Sequence, residues 1–167
     1  EGIIFSAFAA AVIGGVSLTY RIMETFAESV QENHEWAVRL GQFGQLSHLA
    51  SQINAPGNDI FESRDTKKEA SRLGSAHLDF EVKLNTFREQ LVRGTKSSET
   101  DDLINDLAMI SGRVNEMVKE SRGVLGMFAA GQTDKAAVRM AVMDRKFGEV
   151  NGLFQHLNDD VLSIQKS

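Results

Sequence analysis

The chain has no cysteine, which excludes disulfides, thiolate catalysis and cysteine-ligated zinc. It has one proline in 167 residues, so nearly its whole length is open to long helices. No segment shows the β-rich alternation of a strand. Lysine and arginine never cluster into a basic stripe, and the net charge is −5, which argues against nucleic acid as a partner. There is no phosphate-binding loop, no nucleophile beside a fitting base and no recognisable pair of catalytic carboxylates, so the segment is not expected to be an enzyme. Among its four histidines no pair has the i, i+4 spacing of a helical metal site, and no Glu-x-x-His motif occurs. His34 and His48 are fourteen residues apart, ~21 Å along a helix. His77 reads as a hydrogen-bonded core histidine and His156 as a surface one. Neither a metal nor a cofactor is expected.

What is present suits one folded domain: 42% hydrophobic and 25% charged residues. One segment departs from that average. Gly2 to Tyr20, "GIIFSAFAAAVIGGVSLTY", carries no charge, and at ~1.5 Å per residue its length crosses the hydrocarbon core of a bilayer. Small residues at Ser6, Gly14, Gly15 and Ser17 suit a membrane helix, and Tyr20-Arg21 suits an interfacial anchor. A signal-peptide core is one alternative, with "AFAAA" as its cleavage region. A buried soluble helix is another. The expected organisation is a transmembrane helix, or the end of one, over 1–21 and a helical-bundle domain outside the membrane over 22–167.

Beyond Arg21 the apolar residues become periodic. Ile22, Phe26, Ser29, Asn33, Trp36, Leu40, Phe43, Ser47, Ala50 and Asn54 follow alternating steps of four and three, a heptad seam with polar members. Val30, Ala37, Leu46, Leu49 and Ile53 widen it. Pro56-Gly57 is expected to end this first helix. A second helix, capped at Asp65-Thr66, presents Leu73, His77, Phe80, Leu84, Phe87 and Leu91 and closes at Gly94. A third, capped by Ser98 or Thr100, presents Leu103, Leu107, Ile110, Val114, Met117, Ser121, Val124 and Phe128, ending at Gly131. The fourth presents Ala136, Met140, Met143, Phe147, Val150, Phe154, Leu157, Val161 and Ile164. Long helices joined by short turns pack antiparallel. The expected fold is all-α: an antiparallel up-down-up-down four-helix bundle, its first helix continuous with the membrane-spanning segment.

That arrangement resembles the extracytoplasmic sensor domains of bacterial transmembrane receptors, namely sensor histidine kinases and methyl-accepting chemotaxis proteins. The stretch Ile53–Asp65, "INAPGNDIFESRD", is similar to the first inter-helix corner of a group of sensor kinase input domains. The resemblance implies a homodimer on the bacterial inner membrane, with the bundle in the periplasm or outside the cell. It also implies a small ligand-induced helix displacement passed to a cytoplasmic output module, a histidine kinase ahead of a chemoreceptor. A membrane-tethered helical scaffold or adaptor without a small-molecule ligand is the alternative.

Two candidate sites follow. At the membrane-distal corner, Asn54, Asn58, Asp59, Arg64, Arg72 and Arg139 could surround a small polar or anionic ligand. The competing reading gives the Asn and Asp residues turn and capping duties. Along the first helix, Asn33 and Trp36 with Phe87 and Phe154 could line a second, aromatic pocket. Polar seam residues can equally set register. Gly41 and Gly44, each costing roughly 1 kcal/mol against alanine in mid-helix, suggest close approach of another helix.

Overall fold

The structure is a computed structural model. It describes the backbone of residues 2–93 and 98–164, and the side chains of residues 21, 23–25, 27, 30, 31, 34–93 and 100–162. Among them stand four helices and no strand: α1 (Gly2–Ser63), α2 (Thr66–Arg93), α3 (Ser98–Ala129) and α4 (Thr133–Ile164). The fold is all-α, with the helices packed against one another. Two compact units divide the chain, Glu1–Arg39 and Leu40–Ser167.

The first unit is the N-terminal part of α1. The side chains of Gly2–Tyr20, Ile22, Phe26, Ser29 and Asn33 lie outside the described residues, and with them the expected membrane span and the upper seam. Among the described residues, no helix is long and apolar enough to cross a membrane. Trp36 is buried in this unit, with the Arg39 guanidinium 4.3 Å from its ring centroid. That distance is a cation–π contact, the cation attracted to the negative face of the ring.

In the second unit, α1 does not end at Pro56-Gly57. It continues to Ser63 with Pro56 inside it. An interior proline removes one backbone hydrogen bond and crowds the preceding turn, at a cost of about 3 kcal/mol. Burial explains why the helix persists. Phe43, Leu46, Ala50, Ile53 and Ile60 are all at most 1% exposed, and Pro56 and Gly57 are buried with them. Positions 43, 46, 50, 53, 57 and 60 form an unbroken three-four alternation through the proline. Fully burying one Ile or Leu contributes about 1.5–3 kcal/mol, so unwinding at Pro56 and losing Ile60 would forfeit as much as the proline costs. This seam also differs from the expected one. Leu46 and Ile53 occupy it, while Ser47 is half-buried beside it and Asn54 is buried.

Among the described residues the remaining seams follow the expected periodicity, with one exchange and with Phe128, Met140 and Phe147 only half-buried; the Ile164 side chain lies outside them. In α2 the core positions are Leu73, Ala76, Phe80, Leu84, Phe87 and Leu91. His77 is half-buried at the edge, where its Nε2 lies 2.9 Å from Asn115 Oδ1. Gly131 ends α3 at φ 71°, with Gln132 N–H donating to the Met127 carbonyl and Gly131 N–H to that of Phe128. This is the Schellman pattern. Cross-helix contacts fix direction. Gln42 meets Gln90 while Asp59 meets Arg72, so α1 and α2 are antiparallel. Glu120 meets Arg139 while Arg113 meets Glu149, so α3 and α4 are too.

At Gly57, α1 packs tightly against α3 and α4. A Cβ there would lie 2.5 Å from Met143 Sδ and 3.2 Å from Ser121 Oγ, whereas Gly41, Gly44 and Gly74 face open space. Among the described residues, the close approach expected at Gly41 and Gly44 is not seen, and one occurs instead at Gly57. Gly57→Ala should destabilise the fold by about 1–3 kcal/mol through overpacking. Gly74→Ala, in the exposed interior of α2, should stabilise it by about 0.5–1 kcal/mol. Urea unfolding of the two variants should therefore show midpoint shifts of opposite sign.

Candidate functional site

The corner expected over Ile53–Asp65 is mostly helix, and only Arg64 and Asp65 separate α1 from α2. Arg64 takes a left-handed backbone, φ 53°, and its N–H donates to the Ile60 carbonyl at 2.9 Å. That is the single-bond left-handed helix cap, a position that favours glycine. Asp65 caps α2: its Oδ1 accepts from the Lys68 N–H at 3.0 Å. The turn chemistry thus falls to two residues, leaving Asn54, Asn58 and Asp59 on a helix surface.

These three diverge. Asn54 and Asn58, one turn apart, both donate through Nδ2 to the same Asp144 Oδ1 on α4, each at 3.1 Å. Asn54 is 8% exposed, and its Oδ1 is buried without a hydrogen-bond partner. The same is true of Ser121 Oγ, which lies beside Gly57. Asp59 points instead to α2. Arg72 donates to Asp59 Oδ2 at 2.7 Å and to Glu69 Oε2 at 2.6 Å. These carboxylates, Asp59 first, hold the Arg72 guanidinium even more firmly protonated than usual. Glu69 is fully buried, and its second oxygen has no hydrogen-bond partner.

Arg64 is exposed, and its guanidinium makes no ion pair among the described residues. Arg139 does not join the corner residues. Its Nε lies 2.8 Å from Glu120 Oε2, close enough for an ion pair but off-axis for a hydrogen bond. It rests against Gly123, where any Cβ would overlap the guanidinium. The proposed six therefore form two pairs, Asn54 with Asn58 and Asp59 with Arg72, plus two separate arginines.

In the second candidate pocket, Asn33 lies outside the described side chains. Phe87 and Phe154 are each 2% exposed and belong to the core, with Phe87 edge-on to Phe43 at 5.1 Å. A small cavity of about 130 Å³ does adjoin Phe87, but Gln42, Gln45, Lys83 and Gln90 line it, without Phe154. Among the described residues, no three acidic or histidine side chains gather as a metal site.

Sequence reasoning missed three features. Asp144 directly follows the seam residue Met143, so an acceptor at the edge of the core was within reach of the pattern. Glu69 lies four residues before Leu73 on the α2 seam, which also marks it as a core carboxylate. The third is a larger open groove of about 520 Å³, lined by Met127 and Glu120 of α3 and by Asp134, Lys135, Val138, Arg139 and Val142 of α4. Val138 and Val142 lie off the α4 seam at i, i+4 spacing, the only sequence trace of that groove.

An ionic lattice joins α3 to α4. Lys146 lies 3.0 Å from Glu116 and 3.3 Å from Glu149, and Arg113 lies 3.1 Å from Glu116. Hydrogen bonds from Lys146, and then from Arg113, hold the Glu116 carboxyl below its usual range. Asp106 behaves oppositely: burial, reinforced by Asp160, pushes it up.

Two expectations follow. Asp144→Ala should cost about 1–3 kcal/mol in urea unfolding, because it strands the buried Asn54 amide. Asn58→Ala, which leaves Asn54 and Asp144 paired, should cost less. For Asp106 the raised folded-state pKa opposes folding increasingly as pH rises from about 3.9, the unfolded value, through the folded one. Asp106→Asn should therefore raise the urea midpoint at pH 7 and leave it nearly unchanged at about pH 3, below both values.

Compared with protein-family models, with curated proteins and with solved structures, the chain matches none.

Proposed function

We propose that the chain is the ligand-sensing input domain of a bacterial transmembrane signalling receptor. In this reading an up-down-up-down four-helix bundle stands on a membrane-spanning stretch, Gly2–Tyr20, and works as a homodimer outside the inner membrane. The output module is cytoplasmic, a histidine kinase ahead of a chemoreceptor.

The observation that carries the reading is the single Asp144 oxygen accepting from Asn54 and Asn58. Two donors one turn apart on one acceptor make a contact that can be kept in either of two ways, the buried Asn54 bond being the costlier to lose. A shift of α1 along α4 in one direction keeps the Asn54 bond, and a shift in the other keeps the Asn58 bond. Packed cores change between discrete arrangements rather than deforming smoothly. A ligand that favours one arrangement moves the population by its difference in affinity for the two. The uncharged run and both asparagines lie on the same helix, α1, so the displaced element is the one that would enter the membrane. At the corner, Arg72 is already neutralised by Asp59 and Glu69. The exposed Arg64, and Lys67 and Lys68 beside it, make no ion pair among the described residues.

The test joins the chain to a histidine-kinase output module of known activity and locks α1 to α4 with the double substitution N58C/D144C. Oxidation should freeze the output in one state, and reductant should release it. An output that ignores the lock would overturn the relay and favour a membrane-tethered scaffold.

A further inference from the structure

The groove between α3 and α4 takes in Arg139 but none of the residues of the Asn54–Asn58–Asp144 contact, and its chemistry is of a different kind. Its volume, about 520 Å³, falls within the ~300–1,000 Å³ of small-molecule sites. Met127, Val138 and Val142 supply a mainly carbon surface, and Val138 remains 71% exposed, a large apolar area left to water. One wall is cationic. Lys135 and Arg139 are one turn apart on α4 and both line the groove. Lys135 makes no ion pair among the described residues.

Arg139 is held in place by construction. Gly123 lacks the Cβ that would displace its guanidinium, and Glu120 holds its Nε at 2.8 Å. That pair is off-axis for a hydrogen bond, so Glu120 is a poorly aligned partner that a better-placed carboxylate can outcompete. Asp134 at the rim disfavours a second negative charge on any occupant.

We propose that this groove binds a small amphiphilic monocarboxylate. The ring or short alkyl chain lies on Met127, Val138 and Val142, and the carboxylate lies against Arg139 and Lys135. The site rests on the sensing reading above and supplies its input ligand class. Glu120 is then the internal competitor that the ligand displaces from Arg139.

Methyl NMR of the whole 167-residue chain, titrated with phenylacetate, benzyl alcohol and benzylamine in parallel, tests the site. Phenylacetate should shift the methyl groups of Met127, Val138 and Val142, with the alcohol weaker and the amine weakest. Arg139→Gln should weaken phenylacetate about tenfold, the loss of one charge-assisted contact. Glu120→Gln, which removes the competitor while leaving the groove lining in place, should tighten it. Equal binding of the amine or the alcohol would overturn the proposal, as would shifts centred elsewhere or indifference to both substitutions. Failure here with the α1–α4 lock still freezing output removes this site alone. Binding here with an output that ignores the lock removes the sensing reading instead.

Discussion

The second unit depends on one constraint: α1 must keep its buried stripe continuous across a proline. Ile53 and Ile60 are both fully buried, and only a helix that continues through Pro56 and Gly57 keeps them on one face. Continuity brings α1 so close to its neighbours that a Cβ at residue 57 would press on Met143 and force it to shift. It also moves the corner to Arg64-Asp65, leaving Asn54, Asn58 and Asp59 on helix surfaces facing two different partners. The polar contacts at that end are therefore consequences of an apolar requirement.

The core pays for this with polar atoms under cover. Asn54 Oδ1, Glu69 Oε1 and Ser121 Oγ are buried without hydrogen-bond partners, and such groups ordinarily cost about 1–3 kcal/mol each. All lie on α1, α2 or α3 toward the end where α1 meets α2. The opposite half of these seams, from Phe80 to Leu91 and from Leu103 to Val114, is apolar. The end carrying the Asp144 contact is the one where these partnerless groups lie. Local rearrangement is easiest where fewest groups are satisfied.

The helices themselves were legible because three-four alternation is a direct imprint of packing. It placed Leu103 through Val124 and Val150 through Val161 correctly. The same reasoning failed at Pro56, where local backbone chemistry says stop and burial of Ile60 says continue. Only the packed partners decide that contest. The site was harder to read than the fold. Nothing in a one-dimensional pattern distinguishes Asp59, directed at Arg72, from Asn58, directed at Asp144, since adjacent residues sit about 100° apart on a helix. Arg139 misled for the same reason: its direction depends on the absence of a Cβ at Gly123. The groove escaped notice because surface concavity belongs to two helices jointly.

The strict repeat through Gly57 has one more consequence. A seam repeating every seven residues winds helices about each other in a left-handed supercoil, with a pitch of about 150 Å. Along such a path no pure translation exists. Moving α1 by one residue's rise, ~1.5 Å, while keeping its knobs seated also turns it by about 4°. Piston and rotation are then a single screw motion, and the thread is cut by Phe43, Ala50, Gly57 and the residues between them.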